Sequence, residues 1–301
     1  MTQKQHIPVL GDEVLSVLHP ARGEKYLDLT AGFGGHADSV IKLIGLAGQA
    51  WLFDRDAQAI AALHERFSGQ DNVKIVRENF AQIDWRGMPQ ADMILLDLGV
   101  SSAQLDQVDR GFTFREDASL DMRMDDRQTT TAADLVNTLE EAQLADIIFR
   151  YGEERRSRMI ARKIVAIRTE LPIMTTQQLA EIVRSVVPSG RIDGATKTFQ
   201  ALRIAVNGEL DALEAVLPEA INQLAPGGRL AVISFHSLED RIVKHFMRDK
   251  TQPVWDTITG QPLQESLFTL VTKKPLMAAT EEIAYNPRAR SAKLRAVEKK
   301  K

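Results

Sequence analysis

The sequence contains no cysteine. That absence excludes disulfides, thiolate-ligated zinc, iron–sulfur clusters and cysteine nucleophiles together, and it fits a reducing compartment. Aromatic side chains are sparse, at 6% of the chain. No charge excess is present either: 38 Lys and Arg against 41 Asp and Glu leave a formal net charge of -3, so no global basic field advertises nucleic acid. No stretch approaches the roughly 18 apolar residues of a membrane span. Residues 1–14 lack the apolar core of a signal peptide. A cytoplasmic protein without membrane contact is expected.

What is present is ordinary globular composition, 44% hydrophobic and 26% charged over 301 residues, a length that suits about two domains. Charge is uneven along the chain. Residues 150–168 hold seven Arg or Lys against two Glu, and 286–301 hold seven against one. Residues 105–126 hold seven acids against three Arg. Two basic patches beside an acidic loop suit a polyanion bound near a cationic cofactor; a solvated helix face and a frayed tail would have the same composition.

The first hundred residues alternate strand and helix patterns. Strands are expected at 25–29, 50–53, 73–76 and 91–97, with helices from the Gly-rich loop to about 46 and over 57–67. That rhythm implies parallel pairing with right-handed crossovers. Residues 98–127 are irregular, and loops of that length are usually functional or disordered. Residues 129–187 read as helices, one starting with a capping box at Thr138 and ending at Gly152. The spacing then predicts one long helix over 199–224 with a kink or restart at Pro218, a turn at 226–228 and a strand at 229–235. A helix capped at Ser237 and late strands at 268–272 and 292–297 complete the pattern. The layout is a doubly wound, mostly parallel sheet interrupted by an all-helical insertion: 1–106 first part, 107–197 inserted loop and helical domain, 198–301 second part.

The chemistry-bearing residues cluster after the expected strands. Asp28-Leu-Thr-Ala-Gly-Phe-Gly-Gly-His36 ends strand one. Its glycines let backbone approach a ligand, and the next helix offers free N–H groups. A carboxylate at Asp28 suits a cationic ligand better than a pyrophosphate; a satisfied Asp in a tight turn is the alternative. Asp54 ends strand two, where an acid can accept both ribose hydroxyls of a nucleoside cofactor, nicotinamide dinucleotides included. Phe80 suits an adenine face or a core position equally. Asp97 tips strand four at the edge where open-sheet ligands bind, or it caps its own turn. Arg110, Phe112 and Arg123 could stack and bond a base, or pin their loop. His236 could titrate or hold structure, and Arg288 with Arg290 suits phosphate or solvent.

Together, Thr30-x-Gly-x-Gly-Gly-His36, Asp54-Arg-Asp56, Leu96-Asp-Leu-Gly-Val-Ser-Ser102, Arg110-Gly-Phe112, Leu120-Asp-Met-Arg-Met-Asp125, Tyr151-Gly-Glu-Glu-Arg155, Thr198-Phe-Gln-Ala-Leu-Arg203, Val206-Asn207, Pro226-Gly-Gly-Arg229, Ile233-Ser-Phe-His-Ser-Leu-Glu-Asp-Arg241 and Asn286-Pro-Arg-Ala-Arg-Ser291 resemble the MraW family of 16S rRNA methyltransferases over nearly the whole chain. The resemblance implies a Rossmann-like methyltransferase domain with a helical insertion, S-adenosyl-L-methionine as cofactor, and methylation of the 4-amino group of a decoding-centre cytidine; no metal-ligating residue is singled out. It places cofactor contacts at Gly34, Gly35, His36, Asp54, Phe80, Asp97 and Gln104. Asp97 is the candidate acceptor or orienter of the amine. RNA contacts are expected at Arg110, Phe112, Arg123, Arg155, Arg156, His236, Arg241, Arg288 and Arg290. The expected partner is 16S rRNA within the small ribosomal subunit, with a homodimer allowed. The chain departs from the family at Gly194, where a proline is common, which puts the rigidity of loop 192–196 in question. The missing cysteine disfavours carbon-5 methylation of cytosine, which normally needs a thiol adduct.

Overall fold

The structure is a computed structural model and describes residues 8–188, 190, 193–255 and 262–301. Two compact units divide it: residues 1–99 with 210–301, and residues 100–209.

In the first unit, helix α1 (Gly11–Leu18) precedes strand β1 (Lys25–Asp28), helix α2 (Gly35–Ile44), strand β2 (Gln49–Asp54), helix α3 (Ala57–Arg66), strand β3 (Val73–Arg77) and strand β4 (Ala91–Asp97). Among the described residues, seven strands form one sheet in the order β3-β2-β1-β4-β5-β9-β8, with β5 at Leu224–Ser234, β8 at Phe268–Leu270 and β9 at Lys293–Lys299. A separate two-stranded ribbon pairs β6 (Val254–Trp255) with β7 (Pro262–Gln264). Pairing from β3 through β5 is parallel, and β9 runs antiparallel to both β5 and β8. Chain order reverses between β1 and β4, which opens a crevice at their carboxyl ends.

The near-continuous apolar run of β4 follows from burial on both faces. Met93 and Leu95 join one cluster with Val14 of α1 and Val40 of α2. Ile94 and Leu96 join the other, with Leu213 and Leu217 ahead of β5 and Val243 and Met247 beyond it.

The second unit is helical: α4 (Ser102–Asp106), α5 (Ala132–Thr138), α6 (Glu141–Gly152), α7 (Ser157–Arg168), α8 (Thr176–Val186) and α9 (Thr196–Asn207). Their apolar stripes meet in one core containing Leu144, Ile148, Ile160, Ile164, Leu179, Val183 and Phe199. Gly152 is needed where α6 meets the start of α9, because a Cβ there would lie 2.6 Å from the Lys197 carbonyl oxygen.

Several expectations are corrected. The helix expected over 199–224 is broken at Gly208, a left-handed residue at φ 57, into α9 and α10 (Glu209–Asn222). Pro218 lies inside α10 without ending it. Because α9 packs Phe199, Leu202 and Val206 into the helical core, the inserted unit spans 100–209 where 107–197 was expected. Thr138 turns back to the Asp134 carbonyl, and Glu140 caps α6. The expected turn at 226–228 lies within β5, as an irregularity in its register against β4. Helix α11 (Ser237–Thr251) is capped by His236 and not by Ser237. Of loop 192–196, Ile192 lies outside the described residues, as do residues 1–7 of the segment 1–14.

Candidate active site

β1 ends at Asp28, which is only 1% exposed. Its carboxylate accepts the Tyr26 hydroxyl at 2.7 Å and the Thr30 N–H at 3.2 Å. Burial pushes its pKa up to about 7, against the pull of those two donors. Asp28 is therefore the satisfied carboxyl of a tight turn. The chain next takes up positive φ at Gly32 and Gly34, 52° and 80°. A Cβ at Gly34 would meet Phe67, Arg66 and Leu63 at 3.0–3.1 Å. Gly34 occupies the cap position of α2 with no side-chain cap, so the N–H groups of the first turn of α2 have no intrahelical acceptor. Gly35 and His36 are in that turn.

Asp54 reaches the same loop from the end of β2. Its two oxygens accept the Gly32 N–H and the Asp56 N–H, both at 2.8 Å. Burial raises its pKa, partly offset by those N–H groups. Each oxygen keeps a second lone pair for an incoming hydroxyl. Phe80 opens a short 3-10 turn, Phe80–Gln82, after β3, and it is half-buried against the apolar cluster that contains Trp51 and Phe53.

Asp97 ends β4. Its N–H is accepted by the Thr30 hydroxyl, which ties the β4 end to the β1 loop. Oδ1 is buried and has no hydrogen-bond partner among the described residues. Oδ2 lies 3.7 Å from His36 Nε2. Burial, then the nearby charges of Asp28 and Glu239, hold its pKa well above the usual carboxylate range. Gly34, Gly35, His36, Asp54 and Asp97 thus converge at the carboxyl edge of β1, β2 and β4. A buried acceptor without a donor, beside a Gly-rich turn and an uncapped helix start, can take up an N–H-bearing group.

His236 is turned into its own helix. Nδ1 accepts the Glu239 N–H at 3.4 Å, and Nε2 lies 3.2 Å from the Glu239 carboxylate. Glu239 in turn accepts the Phe235 N–H at 2.8 Å. His236 is thereby a helix cap. Arg241 is exposed on the first turns of α11, and Arg290 is exposed in the segment Pro287–Ser291 while Arg288 is half-buried there.

In the helical unit, Gln104 is buried and shares a capping box with Ser101, Oε1 accepting the Ser101 N–H at 3.0 Å. Arg110 donates to the carbonyls of Arg123 and Met124 at 3.0 and 3.2 Å and lies over Phe112. Phe112 is in the core. Arg123 grips Asp121 through two nitrogens at 2.7–2.8 Å and donates to the Gln128 carbonyl at 2.7 Å. These three pin the loop. Arg155 is exposed; Arg156, also exposed, donates to the Val186 carbonyl at 2.7 Å.

Sequence reasoning missed Tyr26, Glu239 and the holding role of Asn207. Tyr26 shares a strand face with Asp28 by its two-residue spacing. Glu239 stands three residues after His236, the capping-box interval. Asn207 donates to the Met122 carbonyl and accepts the Met124 N–H, both at 2.8 Å, contacts across 85 and 83 residues with no local signal.

The MraW methylase family model matches residues 3–300. Among curated proteins, the ribosomal RNA small subunit methyltransferase H of Cyanothece sp. is 50% identical over 293 residues, covering 96% of this chain and 93% of that protein. The protein of the same name from Granulibacter bethesdensis is 48% identical over 307 residues, covering 97% and 91%.

Proposed function

This chain belongs to the MraW methylase family, and from that premise we propose that it methylates 16S rRNA of the small ribosomal subunit, at the 4-amino group of a decoding-centre cytidine, using S-adenosyl-L-methionine. The residues at the sheet edge fit that cofactor. The turn at Gly34 and Gly35 with the first turn of α2 suits its carboxylate, Asp54 its two ribose hydroxyls, and Phe80 its adenine face. When bound, it supplies an electrophilic methyl group on a sulfonium.

The rest of the chemistry falls to the chain. A cytosine amine is a poor nucleophile because its lone pair is conjugated into the ring. Holding it in line with the methyl supplies much of the rate. Asp97 Oδ1 accepts an N–H of that amine and lets the nitrogen pyramidalise. This orphaned buried oxygen is the observation that best supports the reading. His36 Nε2 lies 3.7 Å from the other oxygen. The target base leaves its stack to reach such a site. Arg155 and Arg156 on the helical unit, and Arg241, Arg288 and Arg290 on the sheet unit, contact RNA phosphates, while Arg110, Phe112 and Arg123 shape their loop. The work takes place in the bacterial cytoplasm.

The test is methyl transfer. The protein is incubated with labelled S-adenosylmethionine and small subunits lacking the modification, and the RNA is digested to nucleosides. Label in N(4)-methylcytidine is expected. Label in another nucleoside overturns the site, and no label despite cofactor binding overturns the enzymatic reading for this substrate.

A further inference from the structure

The Gly-rich turn is held from two sides, and only one side belongs to the cofactor contacts proposed above. From the crevice side, Asp54 accepts the Gly32 N–H. From the outer side, the last residue of α3, Arg66, reaches across. Its Nη1 donates to the Phe33 carbonyl at 3.1 Å, and its Nη2 lies 3.3 Å from Asp38 Oδ2. Phe33 and Asp38 flank Gly34, Gly35 and His36. One guanidinium thus spans the segment that opens α2, where the Gly34 N–H donates to the Ala31 carbonyl at 2.8 Å and the N–H groups of the first helical turn have no intrahelical acceptor. The packing is close, because Arg66 Cδ would lie 3.1 Å from a Cβ at Gly34.

We propose that Arg66 is a positioning residue for cofactor binding: it clamps the Gly34–His36 turn from outside and fixes the N–H groups that receive the cofactor carboxylate. This rests on the cofactor reading above. Both ends of one crossover, Asp54 leaving β2 and Arg66 ending α3, then act on the same loop.

The clamp can be removed without wrecking the fold. The Arg66 side chain is 38% exposed, and ion pairs at such positions add little to stability. Asp38 is not orphaned by the change, since Lys42 donates to it at 2.7 Å. Partial burial raises the Asp38 pKa, but Lys42 and Arg66 together outweigh this and hold it below the usual carboxylate range. What Arg66→Ala removes is the fixed position of the loop, and a ligand must then order that loop on binding.

The experiment measures S-adenosylhomocysteine affinity by calorimetry, KM and kcat for methyl transfer, and Tm, on the full chain. Arg66→Ala is expected to weaken S-adenosylhomocysteine binding and raise the cofactor KM by about three- to tenfold, the order that loop ordering costs, with kcat and Tm nearly unchanged. Arg66→Lys, which can keep one of the two interactions, should fall between. Arg86→Ala, which removes an exposed Arg–Asp pair away from the loop, should change nothing. Unaltered affinity in Arg66→Ala overturns the clamp, and so does a weakening matched by an equal fall in Tm and not relieved by lysine. Failure of the parent protein to bind S-adenosylhomocysteine overturns the cofactor reading itself, and the clamp with it.

Discussion

The Thr30 hydroxyl accepts the main-chain N–H of Asp97, so the loop after β1 and the end of β4 are one piece at the point where strand order reverses. At that point one oxygen of the Asp97 side chain is buried and has no hydrogen-bond partner among the described residues. Replacing Asp97 by Asn keeps the shape and removes the acceptor's basicity. Asp97→Asn should lower kcat by about 10²-fold or more, the order assigned to proton acceptors, with a smaller effect on S-adenosylhomocysteine affinity. Retained turnover with only weaker binding would show that Asp97 serves the cofactor and not the amine.

The Tyr26–Asp28 pair carries a pH signature. With the Asp28 pKa raised to about 7 from 3.8, the folded chain holds a proton there that the unfolded chain has released. Stability falls with rising pH wherever the folded state binds more protons. This contribution should therefore decline from about pH 4 to pH 7 and level off above. Asp28→Asn can still accept the Thr30 N–H and donate to the tyrosine oxygen, so the variant should fold. Urea unfolding at several pH values should show a flatter decline in Asp28→Asn than in the parent. Identical slopes would place the titration elsewhere.

Much of this site was legible because the sheet edge is written locally. Asp28, Asp54 and Asp97 each end an apolar run, and glycines follow the first of them. Parallel order then brings three strand ends together without further information. Less legible was which polar groups face inward. Arg110 and Arg123 look like base-binding arginines in sequence, yet their guanidiniums are spent on carbonyls of their own loop. His236 looks titratable, yet both ring nitrogens face Glu239. The break at Gly208 was hidden because apolar spacing continued across it, and Pro218 drew attention to the wrong place. Side-chain partners distant in sequence, such as Asn207 with Met122 and Met124, have no periodic signature.

Asn207 supplies the next prediction. It is 3% exposed and satisfies the Met122 carbonyl, the Met124 N–H and the Arg203 carbonyl. Met122 is held at φ 64, a left-handed conformation for a side-chain-bearing residue. Asn207→Ala leaves buried backbone groups unpaired, at about 1–3 kcal/mol for each. Calorimetry or urea unfolding should register a destabilisation of at least that size, with faster proteolysis inside 107–131. A neutral variant would mean that water replaces the amide.

Arg155 tests the RNA surface. It is exposed and makes no hydrogen bond or ion pair among the described residues, whereas Arg156 already donates to the Val186 carbonyl and Arg110 braces its loop. Only a cation without an internal task can be reversed without disturbing the fold. Arg155→Glu should therefore weaken RNA binding, leave Tm unchanged, and reduce the slope of log K against log salt by about one for each phosphate no longer neutralised. Arg110→Ala should do the opposite, lowering Tm first and binding only as a consequence. If Arg155→Glu binds RNA with the parent's salt slope, the phosphates pass over another surface, and the exposed Arg290 in the segment Pro287–Ser291 becomes the next residue to reverse.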